Sequence, residues 1–234
     1  MYNAANAQQS LSRAEALNAF MRGVYGWMAA GLGLTAVVAV MVASSPSIYK
    51  IAFNPVVLIV LILAELGLVV GLSARINRMS SGTATGMFMA YSALNGVTLS
   101  SIFLVYTATS ITSAFAVSAG MFLAMSVYGM VTKRDLTSLG SFMFMGLIGI
   151  VIASLVNIFL QSSAMAFIIN CVGVLVFTGL TAYDTQRLKD MGAAAPMGDA
   201  TALRRGSILG ALTLYLDFIN LFLIMLRFFG GNRD

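Results

Sequence analysis

The stretch GALTLYLDFINLFLIMLRFFG (210–230) is an apolar run interrupted by one carboxylate, Asp217. The run is long enough to cross a hydrocarbon core about 30 Å thick. An ionised side chain at the centre of such a helix costs roughly 2.5–3.5 kcal/mol on insertion scales. The run before it ends in TAYDTQRLK (181–189) and carries a second acid, Asp184. Two carboxylates in consecutive spans point to a bundle interior, where they face each other or face water. Gly210, Thr213, Asp217 and Asn220 recur at helical spacing on one face, with leucine, isoleucine and phenylalanine around the rest. A weaker stripe, Asn170, Gly173, Thr181 and Asp184, marks the preceding run.

The rest of the chain reads the same way. Of 234 residues, 59% are hydrophobic and 9% charged, where a soluble domain has about 25% charged residues. Seven spans are predicted, at roughly 20–44, 55–75, 84–107, 111–132, 140–160, 164–186 and 206–229. The fold class is therefore an all-α membrane protein, a bundle of seven transmembrane helices. A polar N-terminal segment (1–19) precedes the transmembrane domain (20–230), and a short tail (231–234) follows. Pro46 and Pro55 break the chain between the first two spans. The longest loop is expected near 187–205, around AAAPMGD. The continuous runs argue against a β-barrel, whose strands alternate. Three GxxxG motifs, Gly67/Gly71, Gly82/Gly86 and Gly206/Gly210, are candidates for close helix approach.

Seven spans put the two ends on opposite sides. Arg13, Arg22, Arg75, Arg78, Lys133, Arg134, Arg187, Lys189, Arg204 and Arg205 then share the N-terminal side, against Lys50, Arg227 and Arg233 on the other. The positive-inside rule places the N-terminus in the cytoplasm and the C-terminus outside. In a bacterium the membrane would be the inner one. The net charge of +5 is a topology signal and does not indicate a nucleic-acid partner; the expected partners are the lipid bilayer, cations and other membrane proteins. With no histidine and a single cysteine, Cys171, neither imidazole sensing nor a cysteine metal site is available.

The candidate site is carboxylate-based. If Asp184 and Asp217 meet, both cannot ionise cheaply, and they titrate as one unit. Arg75, ending the second span, is the natural counter-ion. Glu65, mid-span in LAELGLVV, lines a cation path or pairs with a polar helix neighbour; Thr213 and Asn220 are further path candidates. Asp135 in KRDLTS reads as a helix cap. Tyr25 and Trp27 read as interface anchors. Three carboxylates fall short of a tight calcium cage, which wants six to eight oxygens, but suffice for weak transit at Asp184 and Asp217. No resident cofactor is called for.

These residues resemble the Bax-inhibitor-motif family of membrane proteins. YLDFINLF…LRFFG within 210–230 carries the resemblance most strongly, with TAYDTQRLK (181–189), KRDLTSLGSF (133–142) and VYGWMAAGL (24–32). The resemblance implies a seven-helix bundle with the last helix central. It implies a pH-dependent cation leak, with calcium as the transported ion. It also implies a pH-sensing aspartate pair, matched here by Asp184 and Asp217, and an arginine latch, matched by Arg75. Glu65 matches an acidic position by location.

Three other readings compete. An intramembrane aspartyl protease would share Tyr183-Asp184 but needs GxGD where this chain has YLD. A retinal pump needs a lysine in the last span, and Lys50, Lys133 and Lys189 all lie in loops. A non-conducting regulator of membrane-protein turnover or stress survival, acting through protein partners, is the main alternative to a channel.

Overall fold

The computed structural model describes residues 2–194 and 199–230. The tail at 231–234, with Arg233, lies outside them, as do residues 195–198 of the AAAPMGD segment. The described residues form α1 (Tyr2–Ala43), α2 (Pro46–Ala52), α3 (Pro55–Arg75), a 3-10 turn (Ile76–Arg78), α4 (Ser81–Leu99), α5 (Ile102–Val105), α6 (Ala108–Val131), α7 (Thr137–Leu160), α8 (Ser163–Ala194) and α9 (Ala200–Phe229). Seven stretches are long and apolar enough to cross a membrane, and no strand forms among the described residues. The protein is a multi-pass integral membrane protein of all-α class.

The boundaries follow from capping chemistry. Pro55 opens α3 with Asn54 as cap, its side chain accepting from Val56 N–H at 3.0 Å. Pro46 opens the short α2 in the same first-turn position, where a missing N–H costs nothing. Both prolines thus start helices within the expected break. Ser80 and Thr107 cap α4 and α6 by accepting from Thr83 and Ser110 N–H. The αL residue Gln161 (φ 48°) closes α7.

Two elements differ from expectation. The third span is interrupted at Ser100–Ser101, between α4 and α5. The expected long loop at 187–205 is mostly helix: α8 continues to Ala194 and α9 begins at Ala200. The charges in TQRLKDMGAA end the hydropathy run, but leucine, lysine, arginine and alanine are all good helix formers, so the backbone continues. Asp199 caps α9, accepting from Ala202 N–H at 2.8 Å.

The chain forms two compact units, residues 1–105 with 188–215 and residues 106–187 with 216–234. In the first, α1 and α4 are in close contact. Gly96 admits the backbone of α1: a Cβ there would stand 2.6 Å from the Thr35 carbonyl oxygen. Gly71 of the first GxxxG meets Met87, and Gly206 and Gly210 of the third meet Phe20, Leu188 and Val24, whereas Gly67 and Gly86 face open space. Only the third motif seats both its glycines against a neighbouring element. In the second unit, Gly129 brings α6 onto the Ala182 carbonyl of α8. Phe218 of α9 lies edge-on to Phe115 and Phe122 of α6, with centroids 5.6 Å apart in each case.

Burial ranks the spans. Of the seven spans α9 is the most buried, and the second span and α7 are the least. The last helix is the core element. The outward faces of α3 and α7 carry Val56, Ile59, Leu63, Phe142, Ile152 and Phe159, all exposed. Such a surface suits acyl chains.

Candidate functional site

Asp184 lies on α8 and Asp217 on α9, both buried in the second unit. Their carboxyls lie within hydrogen-bonding reach of each other. Ionised carboxylates only accept, so a bond between them needs a proton on the pair. Asp217 Oδ2 is buried with no hydrogen-bond partner among the described residues, an acceptor that a proton on the facing carboxyl would satisfy. The setting is snug. Thr181 and Thr185 are fully buried; Thr181 Oγ1 donates to the Phe177 carbonyl at 2.8 Å and Thr185 Oγ1 to Ser126 Oγ at 3.5 Å. Their hydroxyl protons are therefore engaged away from the carboxyl pair.

With α8 reaching Ala194, Asp184 stands about 15 Å from that helix end at 1.5 Å per residue. The cation that acts electrostatically on Asp184 is Arg187, one turn further along α8, a residue the sequence reading had assigned only to topology. Arg75 is exposed in the last turn of α3.

Beside the pair, the loop before α7 is tied to α8. Gln186 Nε2 donates to the Arg134 carbonyl and its Oε1 accepts from Leu136 N–H, both at 2.8 Å. Asp135 turns the loop into α7, its Oδ1 accepting from Thr137 Oγ1 at 2.6 Å and from Thr137 N–H at 2.8 Å. Those two bonds, the hydroxyl first, hold the exposed Asp135 carboxyl below the usual carboxylate range.

The first unit contains a buried polar network that sequence reasoning missed. Tyr215 Oη donates to Asn95 Oδ1 at 3.1 Å and lies 2.7 Å from Thr35 Oγ1, which also reaches the Ser92 carbonyl at 2.8 Å. Glu65 joins at the other end: Thr98 Oγ1 donates to its Oε1 at 3.0 Å, and Asn95 bonds it too. Glu65 thus has polar neighbours on α4. One hydroxyl of α9 collects α1 and α4, and through α4 it collects α3. Thr213 and Asn220 bond back to their own helix, at the Leu209 and Leu216 carbonyls. Trp27 is covered by the Arg204 guanidinium, 5.5 Å from its ring centroid. No cluster of three or more His, Cys, Asp or Glu side chains among the described residues is placed to hold a metal ion.

The family model for "Inhibitor of apoptosis-promoting Bax1" matches residues 17–234. The chain belongs to the Bax-inhibitor-1 family. It is 58% identical over 218 residues to the inner membrane protein YbhL of Escherichia coli K12, covering 93% of each chain. It is 45% identical over 220 residues to an uncharacterised protein of Rickettsia prowazekii, covering 94% of this chain and 92% of that one. A membrane protein of Streptococcus pyogenes is 39% identical over 221 residues, covering 92% and 94%. The family is one of non-catalytic membrane regulators, which speaks against the aspartyl-protease reading.

Proposed function

We propose that this Bax-inhibitor-1 family member is a pH-sensitive cation leak, with calcium as the transported ion, and that the Asp184–Asp217 pair is its proton-responsive element. The observation that carries the reading is the close approach of two buried carboxyls, one on α8 and one on α9. With one proton shared, a hydrogen bond ties the helices together. Loss of that proton sets two like charges in contact, and a second proton removes the charge altogether. Either change alters the force between two helices without any imidazole. In this reading Arg75 locks the mouth on the N-terminal side. Calcium passes because it binds weakly enough to leave.

The orientation proposed is N-terminus and residues 1–19 cytoplasmic, C-terminus outside. The membrane is the bacterial inner membrane, supported by the name of the Escherichia coli relative. The test is calcium entry into dye-loaded liposomes across a pH series. Asp217→Asn and Asp184→Asn should each flatten the pH dependence; unchanged pH-dependent flux in both variants rejects the assignment. A second reading, a non-conducting regulator acting through membrane-protein partners, takes its support from the family description, which names an inhibitor. Absent flux from wild-type liposomes, together with co-purification of a membrane protease or respiratory complex, would favour it.

A further inference from the structure

At one end of the first unit, residues of α1, the 3-10 turn, α8 and α9 line a half-open cavity of about 400 Å³. This volume lies within the range of small-ligand sites. Its wall is apolar: Phe20, Ile76, Leu209 and Met191 line it, the last 38% exposed. Its one charged lining group is Arg205. Arg205 Nη1 donates to the Asn77 carbonyl at 2.9 Å and to the Met79 carbonyl at 3.2 Å, which fixes the guanidinium plane. The Nε and Nη2 hydrogens have no partner among the described residues. Three donors in a fixed fork beside an apolar hollow suit an anionic oxygen cluster attached to a hydrocarbon.

The chain's alternation locates the cavity. The first span begins at Arg13, the second ends at Arg78, the sixth ends at Ala194 and the seventh begins at Ala200. All four are ends on the N-terminal side, so the cavity sits at a membrane–water boundary. Arg78 and Arg204, each next in sequence to a lining residue, are exposed. Among the acids nearby in sequence, Asp199 is engaged as the α9 cap, and Asp190 is exposed. The local balance is cationic.

We propose that this cavity seats an acyl chain of an anionic phospholipid from that leaflet, with the lipid phosphate on Arg205. A soluble anion would not need the apolar wall, and a zwitterionic lipid would gain less from the arginines. The site is independent of the cation-leak reading and can stand if that reading falls.

The full-length protein in detergent, titrated separately with phosphatidylglycerol and phosphatidylcholine of equal chain length, tests it, with bound lipid counted by native mass spectrometry. One phosphatidylglycerol per chain should be retained, with at least tenfold preference over phosphatidylcholine. Arg205→Gln should reduce the preference to twofold or less. Ala202→Leu, which fills the cavity from its half-buried wall, should cut phosphatidylglycerol retention at least fivefold while leaving the helical circular dichroism unchanged. Equal retention of the two lipids by the wild type overturns the proposal. So does phosphatidylglycerol retention that survives Ala202→Leu, whatever the behaviour of the arginine variant.

Discussion

Replacing Tyr215 with phenylalanine isolates a single hydroxyl. The ring would keep its edge-on contacts with Phe88 and Tyr91, at 5.9 and 5.6 Å between centroids, and its complete burial. What disappears is the donor to Asn95 Oδ1 and the partner of Thr35 Oγ1. The Thr35 proton still has the Gly31 and Ser92 carbonyls within 2.9 Å, so that side loses little. Asn95 is buried, and its orphaned carbonyl oxygen costs about 1–3 kcal/mol. We therefore expect Tyr215→Phe to destabilise the protein by about 1–3 kcal/mol in reversible denaturant unfolding in detergent micelles. In an Asn95→Leu background the acceptor is already gone, and the same substitution should cost less than half as much, a coupling of about 1 kcal/mol. A Phe variant as stable as the wild type, or a cost unchanged by Asn95→Leu, would refute the hydrogen-bond account of this network.

Three further outcomes are expected. Gly96→Ala forces a methyl against the Thr35 carbonyl, 2.6 Å away, and should lower stability by about 1–3 kcal/mol. Gly86→Ala, with nothing within 4 Å, should be neutral or stabilising by up to about 1 kcal/mol; thermal unfolding of the two side by side checks the contrast. Gln186→Leu removes both ties to the loop at Arg134 and Leu136 and should speed trypsin cleavage after Lys133 or Arg134 in limited proteolysis. Thr137→Ala removes the larger cause of the low Asp135 pKa, so carboxyl-carbon NMR should show Asp135 titrating closer to the ordinary carboxylate range. A lowered folded-state value means that the Asp135 turn contributes stability at neutral pH and loses it as pH falls through that value. Thr137→Ala should weaken that acid dependence.

The spans were legible because a continuous apolar run leaves few alternatives to a membrane helix, and the α3 boundaries fall at the expected 55–75. The end of α8 was not legible. Hydropathy stops at Arg187, Lys189 and Asp190, while helix propensity does not, and lipid preference and backbone preference are different forces. Asp184 and Asp217 stood out singly because each breaks an apolar stretch. Their approach could not be read, since it depends on tilt and on where two helices begin. Arg187 has a local signal, one turn from Asp184, that could have found it. Tyr215, Asn95 and Thr35 are 120 and 180 residues apart in their pairings, and nothing local marks any of them as a partner of the others. The glycines divide similarly: spacing proposes contact faces, but only packing reveals that Gly96 and Gly129 touch a neighbouring backbone while Gly86 touches nothing.

The length of α8 has a mechanical consequence. Its 32 residues extend about 48 Å. Even at a steep 40° tilt such a rod covers roughly 37 Å of membrane depth, more than a hydrocarbon slab of about 30 Å. The surplus, with Lys189 and Asp190 on it, must stand in the headgroup layer or beyond. A thicker bilayer would draw these charges toward acyl chains, and a thinner one would free more of the helix. Slab thickness therefore sets a load on the same rod that carries Asp184.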